Sequence, residues 1–251
     1  MPTNKEKKQH GWKGFIFWLL GLVVFETFFF QPFYIPSGSM IPTLAVGDEI
    51  IVNKLAYGIS GYSNPLPFFN SSYIAGYFWS QPKVGDVVVF RNPKKTDIDF
   101  IKRVIALPGD KVQLKSGMLY INGVRQDKYN ITSENKMNTE NFGMGVNQGV
   151  YYKEDLNKVL HYVEQDGIDG NANNTKEYIV PKDHFFAMGD NRNHSFDSRF
   201  EEGISYVPLK NIIGKSEFIC FSVEPSTGGI ISLLSSPLRI RWNRIFNSMS
   251  L

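Results

Sequence analysis

The chain has 251 residues, 42% of them hydrophobic, enough to bury a sizeable core in one large domain or two small ones. Its net charge of +3 comes from 27 basic and 24 acidic residues spread along the sequence, which excludes the basic stripe of a nucleic-acid binder. The single cysteine, Cys220, excludes an internal disulfide and any multi-thiolate metal centre, and its strand-like surroundings from Glu217 to Val223 make it core filler.

At the N-terminus, Lys5, Lys7, Lys8 and Lys13 precede a nearly uncharged run from Phe15 to Phe30. At 1.5 Å per residue that run spans about 24 Å, short of a ~30 Å hydrocarbon layer. Widening it to Trp12–Tyr34 closes the gap, with Lys13 snorkelling and the two aromatic residues as interfacial anchors. Glu26 is the costly residue, in the later half of the run and nearer the far interface. Phe28-Phe29-Phe30-Gln31-Pro32 offers no small-x-small processing site, so a retained anchor is expected rather than a cleaved leader. The lysine asymmetry then assigns 1–13 to the cytoplasm, 14–31 to a single transmembrane helix, and 32–251 to the outer side.

Beyond Pro32 the pattern is mainly β. Short strands are predicted at 49–53, 85–90, 100–105, 111–114 and 118–122, with Gly117 and Asn122-Gly123 as turn signals. They resume at 177–180, 184–188 and 212–223, and close spacing argues for an all-β sheet assembly or partial barrel. The polar, Asn-rich stretch 126–176 is an insertion with one weak helical patch at 154–160. The aromatic stretch Leu66–Trp79 is read as a packed loop, with a membrane-resting edge as the sharper alternative.

Three segments carry the chemistry. The first, directly after the apolar run, is Ile35-Pro36-Ser37-Gly38-Ser39-Met40-Ile41-Pro42-Thr43-Leu44. The second is Asp99-Phe100-Ile101-Lys102-Arg103-Val104-Ile105-Ala106-Leu107-Pro108-Gly109-Asp110. The third is Met188-Gly189-Asp190-Asn191-Arg192-Asn193-His194-Ser195-Phe196-Asp197-Ser198-Arg199. In order and spacing these blocks resemble the bacterial type I signal peptidases, over most of the chain.

The resemblance implies an all-β catalytic domain behind a single transmembrane helix, with a smaller β-rich subdomain inserted at about 126–176. It implies Ser39 as nucleophile and Lys102 as general base. A serine is inert at neutral pH without a base, and a lysine serves as one only when its pKa falls from ~10.4 towards 7. Alternation along the strand turns Lys102 inward and Arg103 outward, and burial beside Phe100 and Ile101 lowers the lysine. By the same resemblance, Ser37 assists the Ser39 N–H in binding the oxyanion and Ser195 hydrogen-bonds the lysine. Asp197 and Arg199 form an ion pair behind Ser195, and Phe33, Ile35, Pro36, Leu44, Phe100 and Ile101 line subsites for small residues.

Neither cofactor nor metal is implied. The implied partners are signal peptides of secretory preproteins, the phospholipid bilayer and, as a further candidate, the protein translocase; nucleic acid is not among them. The implied location is the bacterial cytoplasmic (inner) membrane, with the catalytic domain extracytoplasmic. Among the histidines, His194 is the best rival base, because His10 lies on the cytoplasmic side, His161 in the insertion and His184 in a turn. The chain departs from the family pattern at Ala106, at His194 and in a longer 200–206 segment. Two other readings stay open: a LexA-like Ser/Lys self-cleaving protein, and a membrane-tethered β-domain that binds peptides without cutting them.

Overall fold

The computed structural model describes residues 12–21, 29–63, 77–131, 150–167, 172–224 and 240–250. It is mainly β. Its largest sheet has seven strands: β1 (Phe30–Tyr34), β2 (Asp48–Asn53), β5 (Val87–Arg91), β6 (Asp99–Ala106), β14 (His184–Met188), β15 (Val207–Pro208) and β16 (Ile212–Ser222). The spatial order is β1-β2-β16-β5-β6-β14-β15, and every neighbouring pair is antiparallel. Register shifts within β16 and β14 mark bulges, which raise the local twist and curl the sheet.

The strands follow from their side-chain patterns. β2 alternates, burying Asp48, Ile50 and Val52 and leaving the residues between them half-buried. β5 is a continuous apolar run because both its faces are covered: Val87 and Val89 belong to one core cluster, Val88 and Phe90 to another. A third cluster packs Ile105, Phe186 and Met188 against Val112, Leu114, Leu119 and Ile121. Those last residues belong to a four-stranded sheet of β7 (Lys111–Lys115), β8 (Met118–Ile121), β9 (Val124–Arg125) and β13 (Tyr178–Ile179). Ala106 lies wholly inside this cluster, so its methyl group adds to the packing.

Within 126–176, β10 (Lys128–Asn130), β11 (Tyr151–Leu156) and β12 (Val159–Glu164) form a separate three-stranded sheet. The helical patch expected at 154–160 is therefore a hairpin. Asn157 and Lys158 take φ values of 50° and 71°, the positive pair a tight two-residue hairpin turn needs, while Leu156 pairs with Val159 across it. The part of the insertion expected to be least regular, 135–147, lies outside the described residues, as does most of the aromatic stretch 66–79. Of that stretch Phe78 packs on the core and Trp79 is exposed.

Residues 12–21 are helical and exposed. Among the described residues no helix is long and apolar enough to cross a membrane, and 22–28 of the expected anchor lie outside them. The far boundary needs correction. Phe30 and Gln31 are already sheet, paired with Asn53 and Val52, so β1 does not supply the helix end.

The C-terminal segment folds back on the seven-stranded sheet. Asp48, fully buried, receives Arg244 through Nη2 at 2.6 Å and Arg241 through Nη2 at 3.1 Å, and Ser222 donates to it at 2.7 Å. Ile240 bridges to Val223 and Ser248 to Phe218, so 240–250 lies across the end of β16.

Candidate active site

Ser39 stands in the loop between β1 and β2. Ile35 N–H donates to Asp48 O at 2.8 Å at the base of this loop, and Leu44 N–H donates to Met40 O at 2.9 Å within it. Met40 and Leu44 are fully buried, and these two apolar plugs hold the loop down while Ser39, just before Met40, stays half-buried. Opposite it, Lys102 projects from β6 where Val88 of β5 is its cross-strand neighbour.

Lys102 Nζ and Ser39 Oγ are 2.7 Å apart. Nζ also lies 2.8 Å from Ile101 O and 5.4 Å from the centre of the Phe100 ring. The residue is 4% exposed, and among the described residues Nζ has no salt-bridge partner. Burial pushes the ammonium down to about 8, against the pull of the Asp197 and Asp190 charges and with a small push from Arg199. A neutral amine within hydrogen-bond reach of a hydroxyl can take its proton.

The third block closes over this pair. Asn191 N–H donates to Ser39 O at 3.1 Å, stapling the serine loop to it. Gly189 is where the two loops come closest: a Cβ there would stand 2.2 Å from Ser195 Oγ and 2.4 Å from Ser39 O, so no side chain fits. Asp197 and Arg199 form a buried two-pronged pair at 2.8 Å on both prongs, and Gly189 N–H donates to Asp197 Oδ2 at 3.0 Å. Burial would raise Asp197, but the Arg199 guanidinium outweighs it and holds the carboxyl below its ordinary range.

A profile described as "Signal peptidase, peptidase S26" matches residues 9–221. The chain belongs to this signal peptidase family. A signal peptidase I of Rickettsia akari is 33% identical over 259 residues, covering 98% of this chain and 95% of that one. A signal peptidase I of Rickettsia bellii is 32% identical over 268 residues, covering 99% of this chain and 90% of the relative. A solved signal peptidase I from Enterococcus faecalis is 24% identical with a TM-score of 0.32, covering 54% of this chain and 97% of that one. As a family member the chain is a hydrolase of the serine peptidase class.

The sequence-predicted residues distribute unevenly around the site. Ser39, Lys102, Ser195, Asp197 and Arg199 converge. Ser195 is buried, but its Oγ has no hydrogen-bond partner among the described residues, so the implied bond to Lys102 is not formed. Ser37 and Pro36 are exposed at the loop's outer edge. Phe33, Phe100 and Ile101 are half-buried and packed on the core, whereas Ile35 and Leu44, at 2% and 0% exposure, form its floor and not a groove wall. His194 is exposed, its Nδ1 at 3.2 Å from Asn191 Oδ1.

Arg103 corrects the in-out expectation for β6. It is fully buried and grips Asp190 with Nε at 2.8 Å and Nη2 at 2.6 Å, and its Nη1 donates to Gly85 O at 2.8 Å. Strand alternation fails here because the Asp190 loop covers that face of the sheet. Thr43 Oγ1 donates to Asp190 Oδ2, tying the same carboxylate to the serine loop. Asp190 and Arg192 of the third block thus gain structural roles at the site, and Glu154 is a site residue that the sequence reading missed. Arg192 pairs through both terminal nitrogens with Glu154, and all three are at most 1% exposed. Within Gly-Asp-Asn-Arg the charges read as a polar turn, and only contacts distant in sequence make them interior.

Proposed function

We propose that the chain removes N-terminal signal peptides from exported preproteins, cutting after small-x-small residues with Ser39 as nucleophile and Lys102 as general base. The observation that carries this reading is the 2.7 Å approach of a buried lysine, free of any carboxylate partner among the described residues, to the serine hydroxyl. Ser39 Oγ attacks the scissile carbonyl carbon while Nζ takes its proton. The C–N bond then breaks as that proton passes to the departing amine. Water, deprotonated by the same amine, attacks the acyl ester and frees Ser39. The Ser39 N–H with the Ser37 hydroxyl receives the oxyanion, and losing one such donor costs ~10²–10³ in rate.

Half-buried Phe33, Phe100 and Ile101, over a floor that includes Ile35 and Leu44, suit small side chains at the cleavage site. Ser195 stands against Gly189 beside the dyad, and the Asp197–Arg199 pair holds its loop. The basic residues before Phe15 and the apolar run after it support a single cytoplasmic-to-outside anchor in the bacterial cytoplasmic membrane. That tether brings the domain to a bilayer where signal peptides arrive, beside a translocase. The chemistry needs no metal or cofactor.

Cleavage of a preprotein by the full chain in detergent tests this reading. Ser39→Ala and Lys102→Met are each expected to lower kcat about 10³-fold or more with the chain still folded. Near-normal turnover by Lys102→Met would remove the lysine from the mechanism.

A further inference from the structure

Proton transfer between Ser39 and Lys102 uses nothing from the 126–176 insertion, yet the insertion's hairpin brings a buried histidine up to the same loop. His161 on β12 is the cross-strand partner of Glu154 on β11 and is 1% exposed. Its Nε2 stands 3.3 Å from Glu154 Oε2 and 4.0 Å from Asp190 Oδ1. Among the described residues neither ring nitrogen has a partner in hydrogen-bond geometry. The ring also lines a cavity of about 260 Å³ shared with Pro42 and Thr43 of the serine loop and with Arg244 and Ser248.

The charges facing the ring are Glu154, Asp190 and Arg103, with Arg192 on the far side of Glu154. Burial, with Arg103, outweighs the two carboxylates and holds the imidazole below its ordinary range, so it is neutral near pH 7 with one N–H to give. Two buried carboxylates repel unless a donor lies between them. Each has its own arginine, and the imidazole occupies the space between the two pairs.

We propose that His161 is a positioning residue: the Nε2–H edge of its ring, facing Glu154 at 3.3 Å and Asp190 at 4.0 Å, attracts both carboxylates and so locks the inserted hairpin to the loop that holds Ser39. The route is short. Asp190 holds Thr43 through its carboxylate, and the next residue, Asn191, holds the Ser39 carbonyl through its N–H. Asp190 also fixes Arg103, the neighbour of Lys102 on β6. A shift of the Asp190 carboxylate therefore reaches both members of the dyad. The inference rests on the Ser39–Lys102 reading above.

The test measures kcat and KM of the full chain in detergent on one preprotein, for wild type, His161→Phe and His161→Gln, with Ser39→Ala as control. The phenyl ring keeps the volume and loses the donor; the Gln amide restores a donor near Nε2. The expected result is a kcat about tenfold lower for His161→Phe, with KM and thermal midpoint nearly unchanged, and recovery of roughly half the wild-type kcat in His161→Gln. A wild-type kcat in His161→Phe, or losses in both variants that merely track the folded fraction, would overturn the proposal. A second readout needs no variant: the ¹⁵N shifts of His161 in the wild type should report the Nε2–H tautomer, and the Nδ1–H tautomer contradicts it. If Ser39→Ala remains active, the dyad reading fails; if Ser39→Ala is dead and His161→Phe is unimpaired, only the present inference fails.

Discussion

Lys102 and Arg103 are neighbours on one strand, both buried, and their surroundings make them opposites. Arg103 meets a carboxylate through two hydrogen bonds and a backbone carbonyl through a third, so its charge is compensated and structural. Lys102 meets a hydroxyl and a carbonyl and no carboxylate, so burial works against its charge. On the proposed reading, the site's reactivity comes from which cation is left without a carboxylate. The two anions that could have neutralised Lys102, Asp190 and Asp197, are each committed to an arginine.

The largest way to break this contrast is to strip the paired cation. Asp190→Asn leaves Arg103 buried without its anion and is expected to cost about 3–5 kcal/mol of stability, read as a lowered thermal midpoint in detergent. An unchanged midpoint would mean that the pair is not the anchor described.

The unpaired cation predicts the reverse. Lys102 sits at about 8 in the folded chain against an ordinary 10.5, so between those values the unfolded chain holds more protons and wild-type stability rises with pH. Below about pH 8 the full penalty of burying the ammonium applies, on the order of 3 kcal/mol. Lys102→Met removes it. The inactive variant should therefore melt higher than wild type near pH 7, and its advantage should shrink as pH approaches 10.5. A lower midpoint, or an advantage independent of pH, contradicts this.

A smaller effect sharpens where the loops must meet. Gly189→Ala drives a methyl group against Ser195 Oγ and the Ser39 carbonyl, and the loops must part. The expectation is about 1–3 kcal/mol of destabilisation and about a 10²-fold loss of kcat, measured on the same preprotein.

Much of the β architecture was legible because β2, β5, β6 and β14 carry strong local patterns, alternating or continuously apolar. What escaped depends on partners far along the chain. Arg103 reads as outward-facing because alternation assumes one solvated face, and the Asp190 loop removes that assumption. Asp190 and Arg192 read as a polar turn because Arg103 and Glu154, which make them interior, lie in other blocks. The 154–160 patch reads as helix because Leu156, Val159 and Leu160 fit either period. The turn at Asn157-Lys158, with both residues at positive φ, decided for the hairpin. Ser39 and Lys102 were singled out through the resemblance of whole blocks; neither a Ser-Gly-Ser triplet nor a Lys-Arg pair has enough local signal.

The most direct test of the central claim is the pH dependence of preprotein cleavage by the wild-type chain, followed as kcat/KM. The account predicts an acid limb that rises through an apparent pKa near 8, set by the buried amine of Lys102, and is absent in Lys102→Met because that variant is inactive. An acid limb near the ordinary histidine value of about 6.5, retained in an active Lys102→Met, would contradict it.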